Sequence, residues 1–405
     1  MNNNMNSNIK NQREISEADN YIRKNKSTSV NAYFLKISNR FKLAKIVSIF
    51  LLCIFILGSI LVFGEQFTYE NARFVLRDLS QILKDDSSEP KSLYTFDADG
   101  SMDFVIYKSS IVICGESGVK ILGMSGMEKV SDTKTFTSPV AVPGDKYLAV
   151  YSLGGNNLSI YNTVARIYDF KFDYPIYDVS VSDNGYIAVM TQTREYRSTV
   201  YLYDPNFSLI ATYNKKDYPI KVNLSDNAEY IYISTLNSEN GEFYTEVSSY
   251  KKGSADPYFK NKINDFLCID VQLFDDGNLA FISDDKVLFY SQSGEKINAY
   301  NNSLKISKLS KSDKTLSIMY SNVDSNLLVV LDSIGNVKNI QSKVTAHQIH
   351  NNNRSLFMLD KNVLTQFTES KTKFENIDSG AIKLISTDDY VFICYPNKIK
   401  SIKIN

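Results

Sequence analysis

The sequence predicts an all-β fold, a β-propeller, and three observations carry that reading. First, short runs rich in β-branched and aromatic residues alternate with Asp/Asn/Gly turn signals through most of the 405 residues. Second, the runs come in fours. Residues 176–213 read I-Y-D-V-S-V-S-D-N-G-Y-I-A-V-M, then a polar gap, then S-T-V-Y-L-Y-D-P-N-F-S-L-I-A-T-Y, which is the pattern of a four-stranded antiparallel meander. Third, the unit repeats. The turn residues Ser109, Asp145, Asp183, Asp226, Asp275, Asp313, Asn352 and Asp388 are spaced by 36, 38, 43, 49, 38, 39 and 36 residues, the period of propeller blades. Eight turn signals predict eight blades; seven is the alternative if the first unit or the weakly patterned 340–370 region is irregular.

Four segments follow in order. Residues 1–45 form a basic cytoplasmic tail and juxtamembrane segment, with nine Lys/Arg against three Asp/Glu. The first 29 or so are rich in Asn, Lys and Ser, the composition of a disordered tail. From Ala32 to Lys45 bases alternate with apolar residues, as in a helix lying on an anionic membrane or a basic stop flank. Residues 46–63 read I-V-S-I-F-L-L-C-I-F-I-L-G-S-I-L-V-F without a charge. As a helix this run is about 27 Å long, the thickness of a hydrocarbon core, and predicts a single transmembrane helix. Lys26, Lys36, Arg40, Lys42 and Lys45 precede it and only Arg73 and Arg77 follow closely, so the positive-inside rule puts the N-terminus in the cytoplasm and the rest of the chain outside. The long n-region and the exit Leu61-Val62-Phe63-Gly64-Glu65 suit an uncleaved anchor, not a cleaved signal peptide.

Residues 64–91 hold a predicted amphipathic helix over 67–83, with Ala72, Val75, Leu76, Leu79, Ile82 and Leu83 as its stripe, and a polar linker. Residues 92–405 form the propeller. The long steps of 43 and 49 residues place polar loops at Asn237–Gly241 and Gly253–Asn264, expected to project from one face. The last unit has three strand-like runs, Ile382–Ile385, Tyr390–Tyr395 and Ile399–Ile404, and lacks a fourth. The spare run Leu93-Tyr94-Thr95-Phe96 before the first unit is expected to supply it and close the ring.

Charge and composition exclude several classes. After residue 45 the chain holds 36 Lys/Arg against 42 Asp/Glu, a poor balance for a nucleic-acid binder. Cys53, Cys114, Cys268 and Cys394 are far apart and embedded in apolar runs, as buried small hydrophobes rather than a disulfide framework. The chain has no P-loop, dinucleotide fingerprint, nucleophile elbow or H-E-x-x-H, and no cofactor is expected. Its two histidines, His347 and His350 in T-A-H-Q-I-H-N-N-N, read as a strand entering an Asn turn, where i and i+3 point to opposite faces, rather than as metal ligands. The aspartates of the repeated turns read as turn chemistry; D-D-G alone does not make a calcium loop.

One constellation stands out. Asp178 and Asp270 fall five residues before their turn aspartates, and the equivalent residue in the unit after Asp178 is Lys221. Innermost strands line a propeller's channel, so Asp178, Lys221 and Asp270 are the candidate channel-facing residues, and two carboxylates with a base could serve glycoside hydrolysis or lactone opening. Tyr161, Tyr196, Tyr218, Tyr244 and Tyr250 are candidate surface aromatics for partner contacts.

The unit V-S-V-S-D-N-G-Y-I-A resembles the F-S-P-D-G-x-x-I-A unit of WD40-like and TolB-like propellers, without the Gly-His and Trp-Asp signatures of true WD40 repeats. The layout of basic tail, single anchor, Thr68-Tyr69-Glu70-Asn71 helix with Arg77-Asp78-Leu79, and propeller resembles an uncharacterised group of clostridial-type proteins carrying a domain of unknown function. That resemblance implies no activity. The expectation is a membrane-anchored, extracytoplasmic binding module for a protein or envelope polymer, non-enzymatic. The alternatives are an envelope hydrolase or lyase using the channel carboxylates, or a ligand-sensing membrane protein.

Overall fold

The computed structural model describes residues 16–17, 19–20, 38, 40–55, 92–322, 326–352, 354–368 and 372–404. The chain forms two compact units, Met1–Arg77 and Asp78–Asn405. In the first, residues 16–17, 19–20, 38 and 40–55 are helical, and the side chains of 40–55 are exposed. No helix among the described residues is long and apolar enough to cross a membrane. Residues 46–55 of the predicted span are helical, and 56–63 lie outside the described residues, as does the predicted helix over 67–83.

The second unit consists of eight four-stranded antiparallel sheets. Numbered along the chain, blades 1 to 7 occupy residues 102–132, 139–171, 178–215, 218–264, 270–301, 305–342 and 348–376. Each runs in strand order from its first, inner strand to its last, outer one. Successive inner strands lie side by side and form a ring. The eight-bladed reading therefore holds, with residues 340–370 contributing an ordinary blade.

Position in the blade dictates burial. A middle strand such as Ile187–Thr191 is buried at every residue, because both of its faces pack on neighbouring blades. Outer strands such as Arg166–Lys171 are largely exposed. The core is correspondingly a series of interblade layers. Ala188, Met190, Val200 and Leu202 of blade 3 meet Val222, Leu224, Ile231 and Ile233 of blade 4. Each of the larger of these side chains contributes about 1.5–3 kcal/mol on burial, and a blade alone would leave both faces wet.

The turn of the template unit shows why its residues are there. Ser182 Oγ accepts from Tyr186 N (2.9 Å) and donates to Asn184 Oδ1 (2.7 Å), and Gly185 N donates to Ser182 O (3.0 Å). Gly185 has φ 92°, and a Cβ there would sit 2.8 Å from the Lys146 side chain of the preceding blade. Glycine thus serves both the conformation and the close approach.

Blade 4 corrects one expectation. Asn237–Gly241 and Gly253–Asn264 are not loops on one face. Tyr230–Glu239 and Glu242–Lys251 pair along ten residues each, and Pro257–Asn264 is the outer strand. Polar residues in an exposed strand resemble loop composition, and that misled the reading. The second strand of blade 3 has only 5 residues, so the hairpin of blade 4 extends roughly 15 Å further. The hairpin tip and the following turn at 252–256 lie at opposite ends of the sheet.

Closure occurs as expected. Blade 8 comprises Lys383–Ser386, Tyr390–Cys394 and Lys398–Lys403, completed on the outside by Leu93–Thr95. Leu93 pairs with Lys400, Tyr94 with Ile399 and Thr95 with Lys398. Tyr94 is 2 % exposed and its hydroxyl donates to Met124 O at 2.6 Å in blade 1, so one side chain ties the closing strand to the seam. Tyr94→Ala should cost about 3–5 kcal/mol and Tyr94→Phe about 1 kcal/mol, read from urea unfolding of the full chain. Wild-type stability in Tyr94→Ala would show that closure does not depend on this strand.

Candidate functional site

The inner strands carry the candidate residues, and their geometry begins with an unmet requirement. The inner edge of each blade faces the channel, so its N–H groups have no ladder partner on that side. Side chains of the preceding blade supply acceptors. Asp103 Oδ2 accepts from Ala141 N (3.0 Å), Asp178 Oδ2 from Val222 N (2.9 Å), Ser180 Oγ from Leu224 N (3.0 Å) and Ser310 Oγ from Asn351 N (2.8 Å).

The second carboxylate oxygens meet lysines. Lys221 Nζ lies 3.0 Å from Asp178 Oδ1, Lys311 Nζ 2.8 Å from Asp270 Oδ2, and Lys383 Nζ 2.5 Å from Asp103 Oδ1. Asp178 is 4 % exposed. Burial pushes its pKa up, against the pull of the Lys221 ammonium and the Val222 N–H. Burial also works against the Lys221 ammonium, but the carboxylates of Asp178 and Asp270 outweigh it and raise the lysine's pKa. Lys311 acts on Asp178 as well. Asp178, Lys221, Asp270 and Lys311, from four consecutive blades, therefore form one electrostatic group of alternating sign. The sequence-derived trio is brought together, and Lys311 is its missed fourth member. Lys311 stands two residues before its turn aspartate Asp313, where Lys221 stands five before Asp226, so a shared repeat position could not find it.

The histidines separate. His350 lies on the inner strand Gln348–Asn351 of blade 7, its Nε2 2.8 Å from Ser386 Oγ of blade 8 and its ring stacked on Phe357. Burial, with a smaller effect of Lys383, lowers its pKa to about 4. His347 precedes that strand and donates its backbone N–H to Leu359 O (2.9 Å). Among the described residues no group of three or more His, Cys, Asp or Glu is placed to hold a metal ion. Cys114, Cys268 and Cys394 are buried and unpaired.

The two ends of the ring differ in chemistry. The first turn of every blade lies at one end, and there burial and mutual repulsion raise carboxyl pKa values. Asp183 feels Asp145 and Asp226, Asp226 feels Asp313 and Asp145, and Asp275 feels Asp313 and Asp226. The opposite end is built from the second hairpin of each blade and the links between blades. It exposes Leu153 (50 %), Tyr218 (53 %), Leu267 (44 %), Ile269 (46 %) and Ile382 (40 %), along with Phe243 (41 %) on the long hairpin. In the link 265–269, Phe266 and Cys268 are buried and Leu267 and Ile269 exposed, and the link is tied to the hairpin by Asp265 N donating to Phe243 O (3.1 Å). Of the tyrosines expected at the surface, Tyr161 and Tyr250 are buried instead. The Tyr161 hydroxyl donates to Asp132 (2.7 Å), and the Tyr250 ring packs on Tyr213. Tyr218 is exposed beneath the Arg197 guanidinium at 4.4 Å, and Tyr244 holds Lys262 at 4.1 Å.

These features define an eight-bladed β-propeller with ion-paired inner strands. Residues 86–404 match the family of unknown function (DUF5711), and the chain belongs to that family. No curated protein matches it in sequence. Among solved structures it is similar to BamB from Moraxella catarrhalis, with a TM-score of 0.53 and 11 % identity over 78 % of this chain and 99 % of that one. It is also similar to a eukaryotic initiation factor, with a TM-score of 0.54 and 13 % identity over 78 % of this chain and 88 % of that one. At such identities the likeness is one of fold.

Two outcomes test the electrostatics. Lys221→Met leaves the Asp178 carboxylate buried without its cation and should cost about 3–5 kcal/mol, with Lys221→Arg recovering most of it. Asp178 has a folded pKa above its unfolded value of 3.8, so its contribution is fully present below 3.8 and lost as pH rises through the folded value. Removing the lysine enlarges that loss, and the Met variant should be hurt more at pH 7 than at pH 4 in paired denaturation curves. His350 has the opposite sign. Its folded pKa of about 4 lies below the unfolded 6.5, so its contribution is present above 6.5 and lost as pH falls through 4, about 3 kcal/mol in all. His350→Gln should flatten the stability profile across that window; an unchanged slope would place the acid sensitivity elsewhere.

Proposed function

We propose that this chain is a membrane-anchored binding module that presents the apolar end of its ring to a protein partner outside the cytoplasmic membrane. The observation that carries the reading is the group of exposed apolar side chains Tyr218, Phe243, Leu267 and Ile269 on and beside the extended hairpin of blade 4. Exposed apolar clusters rimmed by polar groups mark interaction sites, and anchors such as Phe243 and Tyr218 are of the types that dominate interface energies. The charge-free run at 46–63 with its basic flank supports the anchor and its orientation. Inside the channel, both Asp178 oxygens are engaged by Lys221 and Val222, which favours binding over chemistry at that position.

Site-specific photocrosslinkers at Leu267, Ile269 and Phe243 in the full chain, expressed in its native membrane, should capture one discrete protein. Crosslinkers at Asp226 and Asp275 on the acidic end should not. Leu267→Asp with Ile269→Asp should abolish capture while leaving the ring folded. Equal yields at both ends, or none at either, would remove this face as the binding site. Capture of glycan instead of protein would redirect the reading to an envelope polymer.

A further inference from the structure

Outer strands are where a propeller exposes unpaired backbone, and native proteins guard such edges with charge, brevity or cover. The outer strand of blade 7, Thr372–Asn376, is the anomaly. It ends its sheet, and all five of its residues are exposed. At its centre Phe374 is 73 % exposed, more than any other large apolar side chain among the ring's described residues. A phenyl ring left in water on an open strand edge invites pairing.

The flanking residues say with what. The strand reads T-K-F-E-N. If two copies pair antiparallel about a two-fold axis through Phe374, Lys373 of each falls opposite Glu375 of the other. Phe374 then meets Phe374, and Thr372 meets Asn376. Every cross-strand pair is favourable: two opposite-charge pairs, one aromatic pair and two polar pairs. The other outer strands do not pair this way. Glu128–Asp132 centred on Val130 would oppose Glu128 to Asp132, Arg166–Lys171 about its midpoint would oppose Arg166 to Lys171, and Pro257–Asn264 about its midpoint would form no opposite-charge pair. Lys373 and Glu375 also border the groove between blades 7 and 8, floored by Phe357, Leu364, Val391 and Ile402.

We propose that the occupant of this edge is a second copy of the chain, joined by antiparallel addition of Thr372–Asn376 to itself in an isologous two-fold dimer. The eight-stranded sheet so formed runs continuously through blade 7 of both rings. Two five-residue strands bury less than the roughly 1,200 Å² of a stable interface, so the dimer is weak, with Kd on the order of 0.1 mM. It leaves both ends of each ring open, and so is independent of the partner surface proposed above.

Charge exchange tests the register. Sedimentation velocity of the full chain in mild detergent should show concentration-dependent dimers. Lys373→Glu or Glu375→Lys alone places like charges opposite one another twice per dimer and should weaken association by about tenfold. The double exchange restores both pairs and should return it to near the wild-type value. Phe374→Ser should abolish it, with circular dichroism unchanged because the side chain is exposed. A chain that stays monomeric throughout, a double exchange no better than the singles, or a Phe374→Ser variant that still dimerises would each overturn the proposal.

Discussion

The whole ring depends on three residues near the start of its chain. Blade 8 has only three strands of its own, and Leu93–Thr95 completes it from the other end of the sequence. Without that strand the outer edge of Lys398–Lys403 would be bare and the ring would be held at the seam by side chains alone. Tyr94 reaches into blade 1, and Lys383 of blade 8 pairs with Asp103 of blade 1 across 280 positions. Closing a loop of 280 positions carries a large entropic cost that the seam contacts must offset.

Within the ring, hydrophobic layers bind blade to blade, but they cannot satisfy the inner edge of each blade. That falls to polar side chains reaching forward by one blade, aspartates and serines accepting N–H groups from the next inner strand. A carboxylate in that role is buried and needs a cation, and lysines from adjacent blades provide it. At Asp178 the pairing with Lys221 thus follows from backbone satisfaction under burial. Removing one charge of such a group leaves its partner exposed to the full desolvation penalty, so the network resists piecemeal change.

Much of this was legible in the sequence, and the misses have a common cause. Blade number, the turn at Asp183-Asn184-Gly185 and closure by the run at Leu93 all rest on local pattern, since period and turn chemistry act over a few residues. Asp178, Lys221 and Asp270 stand out in the sequence because they share a repeat position. Lys311 does not, because it stands two residues from its turn aspartate where they stand five from theirs. The hairpin of blade 4 was read as loop because Asn237–Glu239 and Glu242 are polar on a strand that leaves the body of the ring, where burial no longer selects composition. Tyr161 and Tyr250 were read as exposed because a tyrosine in a strand gives no sign of which neighbour covers it.

The two ends of the ring carry different constraints, and this locates its capacity to vary. Each blade's first turn must satisfy its own backbone and abut the next turn: Asp183 N donates to Asp226 O, and Asp275 N to Asp313 O. Aspartate recurs there for conformational reasons, and the acidity of that end is a by-product of folding. At the opposite end the hairpins join strands already held by their sheets, and neighbouring hairpins need not touch. A hairpin can lengthen there, as in blade 4, or expose a residue such as Leu153, and a link can expose one such as Ile269. Apolar groups exposed where the fold does not require them stand in need of another explanation, and a binding partner supplies one.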